Sequence, residues 1–371
     1  VSSALSRALR PTVIAAVAGL VVMLVIPFYA EPFLLQAGLF AMAAAIGAIG
    51  LNLLTGSTGQ LSMGHAFFLA VGAYGYVYFA GDSGHELSGL GLPTPLAAVL
   101  AVVLAGLAGG LFSPIAGRLR GTYLGIASLA LIFIGQHILH NAHAITGGAN
   151  GRDVPPLELA GFSFADTPEL VVFQVPLRAL EKLWFLALLL LLAAAWVARG
   201  ILRGRPGRAM GTIRDHEIAA GVMGVPVARY RAGVFVLSSM YAGLAGVLLA
   251  MAFRRTVPDY FGIILSLEYL AMIVIGGLGS VAGAVAGAAF VSLLPPLFTR
   301  YGDGLPLIAA PGAEGVSPAE ASRILYGAAV VAVVLFFPGG LLGVWGRVRA
   351  SLAARRTSHP LTRMEPEEQP T

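Results

Sequence analysis

The sequence predicts an all-α membrane protein: a polytopic bundle of about ten transmembrane helices, some interrupted by glycine-rich breaks, with both termini cytoplasmic. Three observations predict this. Apolar stretches of membrane-spanning length recur from end to end of the 371 residues. The apolar share is 57% and the charged share 11%, against about 45–50% and about 25% in soluble domains. The basic residues also alternate between sides: with the N-terminus inside, the cytoplasmic segments hold two (Arg7, Arg10), two (Arg118, Arg120), seven (Arg199 to Arg231) and five (Arg347 to Arg363), together 16 of 23. Such an excess is the positive-inside pattern of an inserted chain.

A bilayer core about 30 Å thick takes about 20 apolar residues per helix. On that measure the spans fall near 12–30, 34–54, 62–80, 96–117, 122–140, 183–200, 232–252, 264–278, 281–298 and 323–340. The first run follows Arg7 and Arg10 as a signal peptide would. Its length and the poor cleavage site at Phe28-Tyr29-Ala30 make it a retained helix instead. Between 264 and 298 two short runs flank Gly276-Gly277-Leu278-Gly279-Ser280, so two spans and one re-entrant hairpin both remain open. An even number of spans survives either way.

Residues 1–345 thus read as one polytopic membrane domain and 346–371 as a disordered cytoplasmic tail, too polar to bury a core. Three loops stand out: an external one at 141–182 carrying five acids, an arginine-dense cytoplasmic one at 201–231, and a Gly/Pro/Ala-rich external one at 299–322.

Composition also excludes chemistry. With no cysteine there is no disulfide, thiolate metal site or cysteine nucleophile. Lys182 is the one lysine, and Glu181-Lys182-Leu183 lacks the glycines of a phosphate-binding loop. Nucleotide hydrolysis through that machinery is excluded. The net charge of +5 is a topology signal and not a nucleic-acid footprint. His137, His140 and His143 share a helix end but have no acid nearby in sequence before Asp153, so no metal site is expected.

Three segments carry candidate function. In the first, Thr55, Gly56, Ser57, Thr58, Gly59, Gln60 and Ser62 lie between two apolar runs, with His65 just inside the second. Irregular backbone at membrane depth survives only where protein or a watery cavity satisfies it, as in the broken helices of transporters. The competing reading is a tight turn at the cytoplasmic surface with hydroxyl caps, and a lone histidine serving packing. The second segment holds Glu268, the one acid hard to place outside a span, followed by Gly276, Gly277, Gly279 and Ser280. An intramembrane carboxylate is costly and faces the bundle interior or a pathway; it serves a substrate ammonium, a proton or an interhelical hydrogen bond, or else sits at the external interface. Small residues at 279, 283 and 287 line one helix face and permit close packing.

The third segment is in the arginine-dense loop. Thr212 with Asp215 three residues on suits a capping box, and Gly224 before Pro226 suits a helix end. A short capped helix with an Ile218-Ala219-Ala220 face is expected there, presented to a cytoplasmic partner.

Together these segments resemble the LivM-type permease subunits of branched-chain amino-acid ABC importers. The resemblance rests on Leu51-Asn52-Leu53-Leu54-Thr55-Gly56 through Gly64-His65, Thr146-Gly147-Gly148 with Asn150-Gly151, Gly207-Arg208-Ala209 through Gly224, Gly276-Gly277-Leu278-Gly279-Ser280, and Leu335-Phe336-Phe337-Pro338-Gly339-Gly340-Leu341-Leu342-Gly343. Five motifs in order cover most of residues 40–345. The resemblance implies that Glu217 to Gly224, with Thr212, Arg214 and Asp215 before it, is the coupling element for an ATPase, with Ile218 inserted after the glutamate. It implies an assembly of this chain with a second, LivH-type permease, two ATPase subunits that bind the ATP, and an external solute-binding protein, in a bacterial inner membrane. The chain itself would need no cofactor and catalyse nothing. Permeases for urea and short amides share the family. From another class, an ion-coupled secondary transporter using Glu268 and His65 fits broken helices equally well, although it needs no coupling helix.

Overall fold

A computed structural model describes residues 11–84, 87–119, 121–159, 161–167, 170–172, 175–301, 318–336 and 340–341. The tail at 346–371, most of the 299–322 loop, and Arg7, Arg10 and Arg120 lie outside these. Each of the ten apolar runs forms a helix: α1 (Pro11–Val25), α2 (Pro32–Thr58), α3 (His65–Ala80), α4 (Thr94–Arg118), α5 (Thr122–Asn141), α7 (Ala179–Arg203), α10 (Val227–Phe253), α11 (Ile263–Gly276), α12 (Val281–Tyr301) and α13 (Pro318–Phe336). Six of them, α2, α4, α5, α7, α10 and α12, are long and apolar enough to cross a membrane. Three short helices complete the described set: α6 (His143–Thr146), α8 (Arg205–Asp215) and α9 (Glu217–Val222).

Burial divides the helices into two layers. α2 and α10 are apolar all round and buried along most of their length, as expected of helices surrounded by others. The flanking helices expose leucine, isoleucine and tryptophan on one side, among them Leu111, Ile126, Leu189 and Trp196. That arrangement suits a lipid solvent, in which an outward apolar face costs nothing.

Close crossings rest on small residues. A Cβ added at Gly246 of α10 would lie 2.0 Å from the Leu69 carbonyl oxygen of α3, and one at Gly72 would lie 2.2 Å from the Gly243 carbonyl oxygen. The backbones of α3 and α10 therefore touch. The small face anticipated in α12 does the same: Gly283 and Gly287 lie against the carbonyls of Gly276 and Met272. Both pairings run in opposite directions along the chain, so α11 and α12 form an antiparallel hairpin about the Gly277–Ser280 turn. With 14 residues, α11 is about 21 Å long, shorter than a bilayer core of about 30 Å.

The all-helical expectation needs one correction. Six strands of two or three residues form three antiparallel pairs, all at one end of the bundle. They are β1 (Arg152–Asp153) with β6 (Arg255–Thr256), β2 (Glu158–Leu159) with β3 (Phe162–Ser163), and β4 (Leu170–Val172) with β5 (Val175–Leu177). They are too short to show a period-two pattern. Here Arg152 donates to the carbonyls of Ser88, Ile145 and Asp82, and Lys182 Nζ donates to those of Ser163 and Ala165 at 3.2 and 2.9 Å. Arg254 caps α10 in the left-handed region at φ 61° and grips Asp166 through both guanidinium nitrogens, at 2.9 and 3.2 Å. That partner holds the Asp166 carboxyl below its ordinary range, while burial lowers the pKa of Arg152.

Gly246→Ala is expected to destabilise the detergent-solubilised protein by about 1–3 kcal/mol, the usual cost of overpacking. Gly233→Ala, whose added Cβ meets nothing within 4 Å, is expected to hold or raise the melting temperature, because alanine is the better helix former by about 1 kcal/mol. Thermal unfolding of both variants checks the opposite signs.

Candidate functional site

The two glycine-rich segments, distant in sequence, meet in space. Asn52 of α2 bridges them: its Nδ2 donates to the Ser280 carbonyl at 2.8 Å, and its Oδ1 accepts from the Gly279 N–H at 2.8 Å. Gly56, one turn further along α2, faces the same loop, and a Cβ there would lie 2.4 Å from the Gly279 nitrogen. Gly277 and Gly279 take positive φ, 111° and 80°, which glycine adopts at no steric cost. Gly340, from the closing motif, lies against Gly276 and Gly277. Three of the five motifs thus form one junction.

The interruption after α2 is narrower than its composition suggests. Thr55 to Thr58 stay helical, and the turn begins at Gly59, with φ 71°. Ser57 and Thr58 donate their hydroxyls to the carbonyls of Leu53 and Leu54 four residues back, so their protons are directed back into the helix. The turn is held from outside by Met63 N–H donating to Ser128 Oγ (2.9 Å) and Ala66 N–H to Ser266 Oγ (2.8 Å). Ser62 is buried. Gln60 is 3% exposed, and neither its amide oxygen nor its nitrogen has a partner; the Thr55 hydroxyl is likewise unpartnered.

His65 is a packing residue. Its Nε2 lies 3.0 Å from the Gly47 carbonyl oxygen and its ring 4.9 Å from that of Tyr269. Glu268 stands apart from the junction. It lies half-buried on α11, between a cavity of about 430 Å³ toward α5 and one of about 220 Å³ toward α2, α10 and α12. At the strand-bearing end, His140 Nε2 lies 3.2 Å from Asp259 Oδ1, an acid that linear order had hidden. Among the described residues no group of three or more His, Asp or Glu is placed to hold a metal.

At the opposite end α8 seats directly on the junction. Arg214 Nη1 donates to the Gly56 carbonyl at 3.0 Å, and its Nε pairs with Asp215 at 3.0 Å. Met210 and Ile213 are buried, with Met210 Sδ 3.6 Å from Ser57 Oγ. The expected capping box is absent. Helix α8 begins at Arg205-Pro206, where proline suits the first turn. Thr212 therefore sits mid-helix, donating to the Arg208 carbonyl at 3.0 Å. The chain breaks at His216 and α9 follows. Its end is closed by Gly224 at φ 82°, with Val225 N–H bonded to the Ala220 carbonyl and Gly224 N–H to that of Gly221, both at 3.0 Å, a Schellman closure. Ala220 is buried and Ala219 exposed. Glu217 faces inward to a nearly buried Arg231, Oε2 to Nη2 2.9 Å. What α9 presents outward is Ile218 and Val222, 80% and 84% exposed, with Met223 beside them.

Sequence reasoning left Asn52, Arg231, Met210 and Ile213 out of the site. Asn52 had a signal, as a lone amide inside an apolar run; the others had none without the fold.

A helical bundle with an interior glycine junction, one short helix seated on it and a second presenting an apolar face outward, has the form of a transport permease. The comparisons assign the family. Residues 33–334 match the family described as branched-chain amino acid transport system, permease component, and the chain belongs to it. The chain is 29% identical to the high-affinity branched-chain amino acid transport permease LivM of Escherichia coli K12, over 88% of this chain and 74% of that protein. It is 25% identical to the LivH permease of the same organism, over 81% and 91%. No solved structure matches it.

Asn52→Leu is expected to strand the Gly279 N–H and the Ser280 carbonyl, at about 1–3 kcal/mol for each buried group left unpaired. A clear drop in melting temperature checks this; an unchanged value would show that the junction does not depend on the bridge.

Proposed function

We propose that this chain is a transmembrane permease subunit of an ATP-driven importer that moves branched-chain amino acids from an external binding protein to the cytoplasm of a bacterium. In this reading all ten helices insert in the inner membrane with both termini inside. The arginine-rich α8–α9 end then faces the cytoplasm and the strand-bearing end the exterior. A second permease of LivH type and two ATPases that bind ATP complete the transporter, together with the external binding protein. This chain supplies no hydrolysis. It supplies two conformational states whose balance the ATPases shift.

One observation carries the reading: α9 exposes Ile218, Val222 and Met223 on a helix whose neighbour α8 is bonded to Gly56. An apolar knob on an otherwise arginine-rich loop suits a groove on a partner protein. Arg214 then ties whatever moves that helix to the glycine junction between α2 and α11–α12. A secondary transporter has no use for such a knob.

Ile218→Asp and Val222→Asp are expected to abolish copurification of the ATPases with the tagged chain while leaving its elution volume unchanged. Retained copurification in both variants would sink the coupling assignment. Glu217→Arg reads differently. It sets a second guanidinium against Arg231, so folded yield is expected to fall and any loss of partner would be secondary.

A further inference from the structure

The importer reading leaves open what the cargo meets inside the membrane domain, and Glu268 supplies an answer that rests on that reading. It is the sixth residue of α11, about 7.5 Å inward from the helix start at 1.5 Å per residue. Among the described residues no hydrogen bond or ion pair reaches its carboxylate. An ionised carboxylate in apolar surroundings is retained only with a partner, and the described residues supply none.

The cavities indicate a partner's chemistry. The larger one lies between α5 and α11 and is lined by Gln136 and Asp259 as well as Glu268. The smaller lies on the other side of Glu268 and is walled by Phe40, Leu249, Phe253 and Met272. Its 220 Å³ exceeds the roughly 150 Å³ that accommodates a benzene-sized ligand. Tyr269 also borders this cavity, although its hydroxyl end is buried against Gly47 of α2. The arrangement joins a carboxylate and a largely apolar lining.

We propose that this cavity is a transit site for an amphipathic ammonium solute, with the ammonium on Glu268 and a branched apolar tail among Phe40, Leu249 and Met272. Cargo class follows from it. Urea and short amides carry no cation to offset a buried carboxylate, and they gain nothing from an aromatic wall. A branched-chain amino acid matches both halves.

The absence of cysteine gives a direct test. Ser292 lines the smaller cavity, so Ser292→Cys places the chain's single thiol there. The full complex of two permeases and ATPases in liposomes is treated with N-ethylmaleimide, and labelling of this chain is followed by mass. 3-Methylbutylamine, which has leucine's tail and ammonium without the carboxylate, is expected to slow labelling severalfold, whereas 4-methylpentanoate does not. Adding Glu268→Gln is expected to erase the protection. In transport, Glu268→Gln is expected to cut ATP-driven leucine uptake about tenfold, the equivalent of 1.4 kcal/mol, and Glu268→Asp to recover part of it. Equal protection by both probes, protection that survives Glu268→Gln, or no labelling at all would overturn the site. The labelling needs neither ATP nor binding protein. A wild-type complex that imports nothing would therefore refute the importer reading while the thiol still reports on the cavity.

Discussion

The structure turns on the satisfaction of backbone groups where water cannot reach them. A glycine-rich interruption inside a bilayer frees N–H and C=O groups, each costing several kcal/mol if left bare. Asn52 meets that demand with one side chain, giving its N–H to Ser280 and taking one from Gly279. The contact is possible because Gly56 has no side chain to hold the loop away from α2. Asn52 and Gly56 thus fix the loop between α11 and α12 against the central helix.

The same junction explains why α8 and α9 take the form they do. In the importer proposed here, a helix that moves others must be bonded to them on one face and bare on the other. α8 buries Met210 and Ile213 and sends Arg214 to the Gly56 carbonyl. α9 turns Glu217 inward onto Arg231 and leaves its apolar side chains outside. The acid conspicuous in the sequence is thus the internal strut, and the isoleucine that interrupts the family pattern is the exposed surface.

Glu268 follows an opposite logic. Most polar side chains in the interior are spent: Ser57 and Thr58 on their own helix, His65 on Gly47, Ser266 on Ala66. Against that background Glu268 stands between two cavities with no partner among the described residues. Gln60 and Thr55 are the other buried polar groups near the junction left idle, at the end where α8 docks.

How much of this could be read from the sequence depends on the range of the interaction. Helix positions follow from runs of apolar residues, a local property, and each expected run is helical. Gly224 as a helix end is also local, because only its own φ is at stake. Thr212 misled because a capping pattern says nothing about a proline six residues earlier that starts the helix. The strand pairs lay beyond a pattern argument, since β1 finds β6 about a hundred residues away. The sequence by itself determined a membrane-embedded helical permease, because the hydrophobic effect and the glycine motifs act along the chain. Only the tertiary structure decided which polar groups find each other. Asn52 meeting Gly279 and Arg214 meeting Gly56 are contacts between residues that folding alone brings to one place.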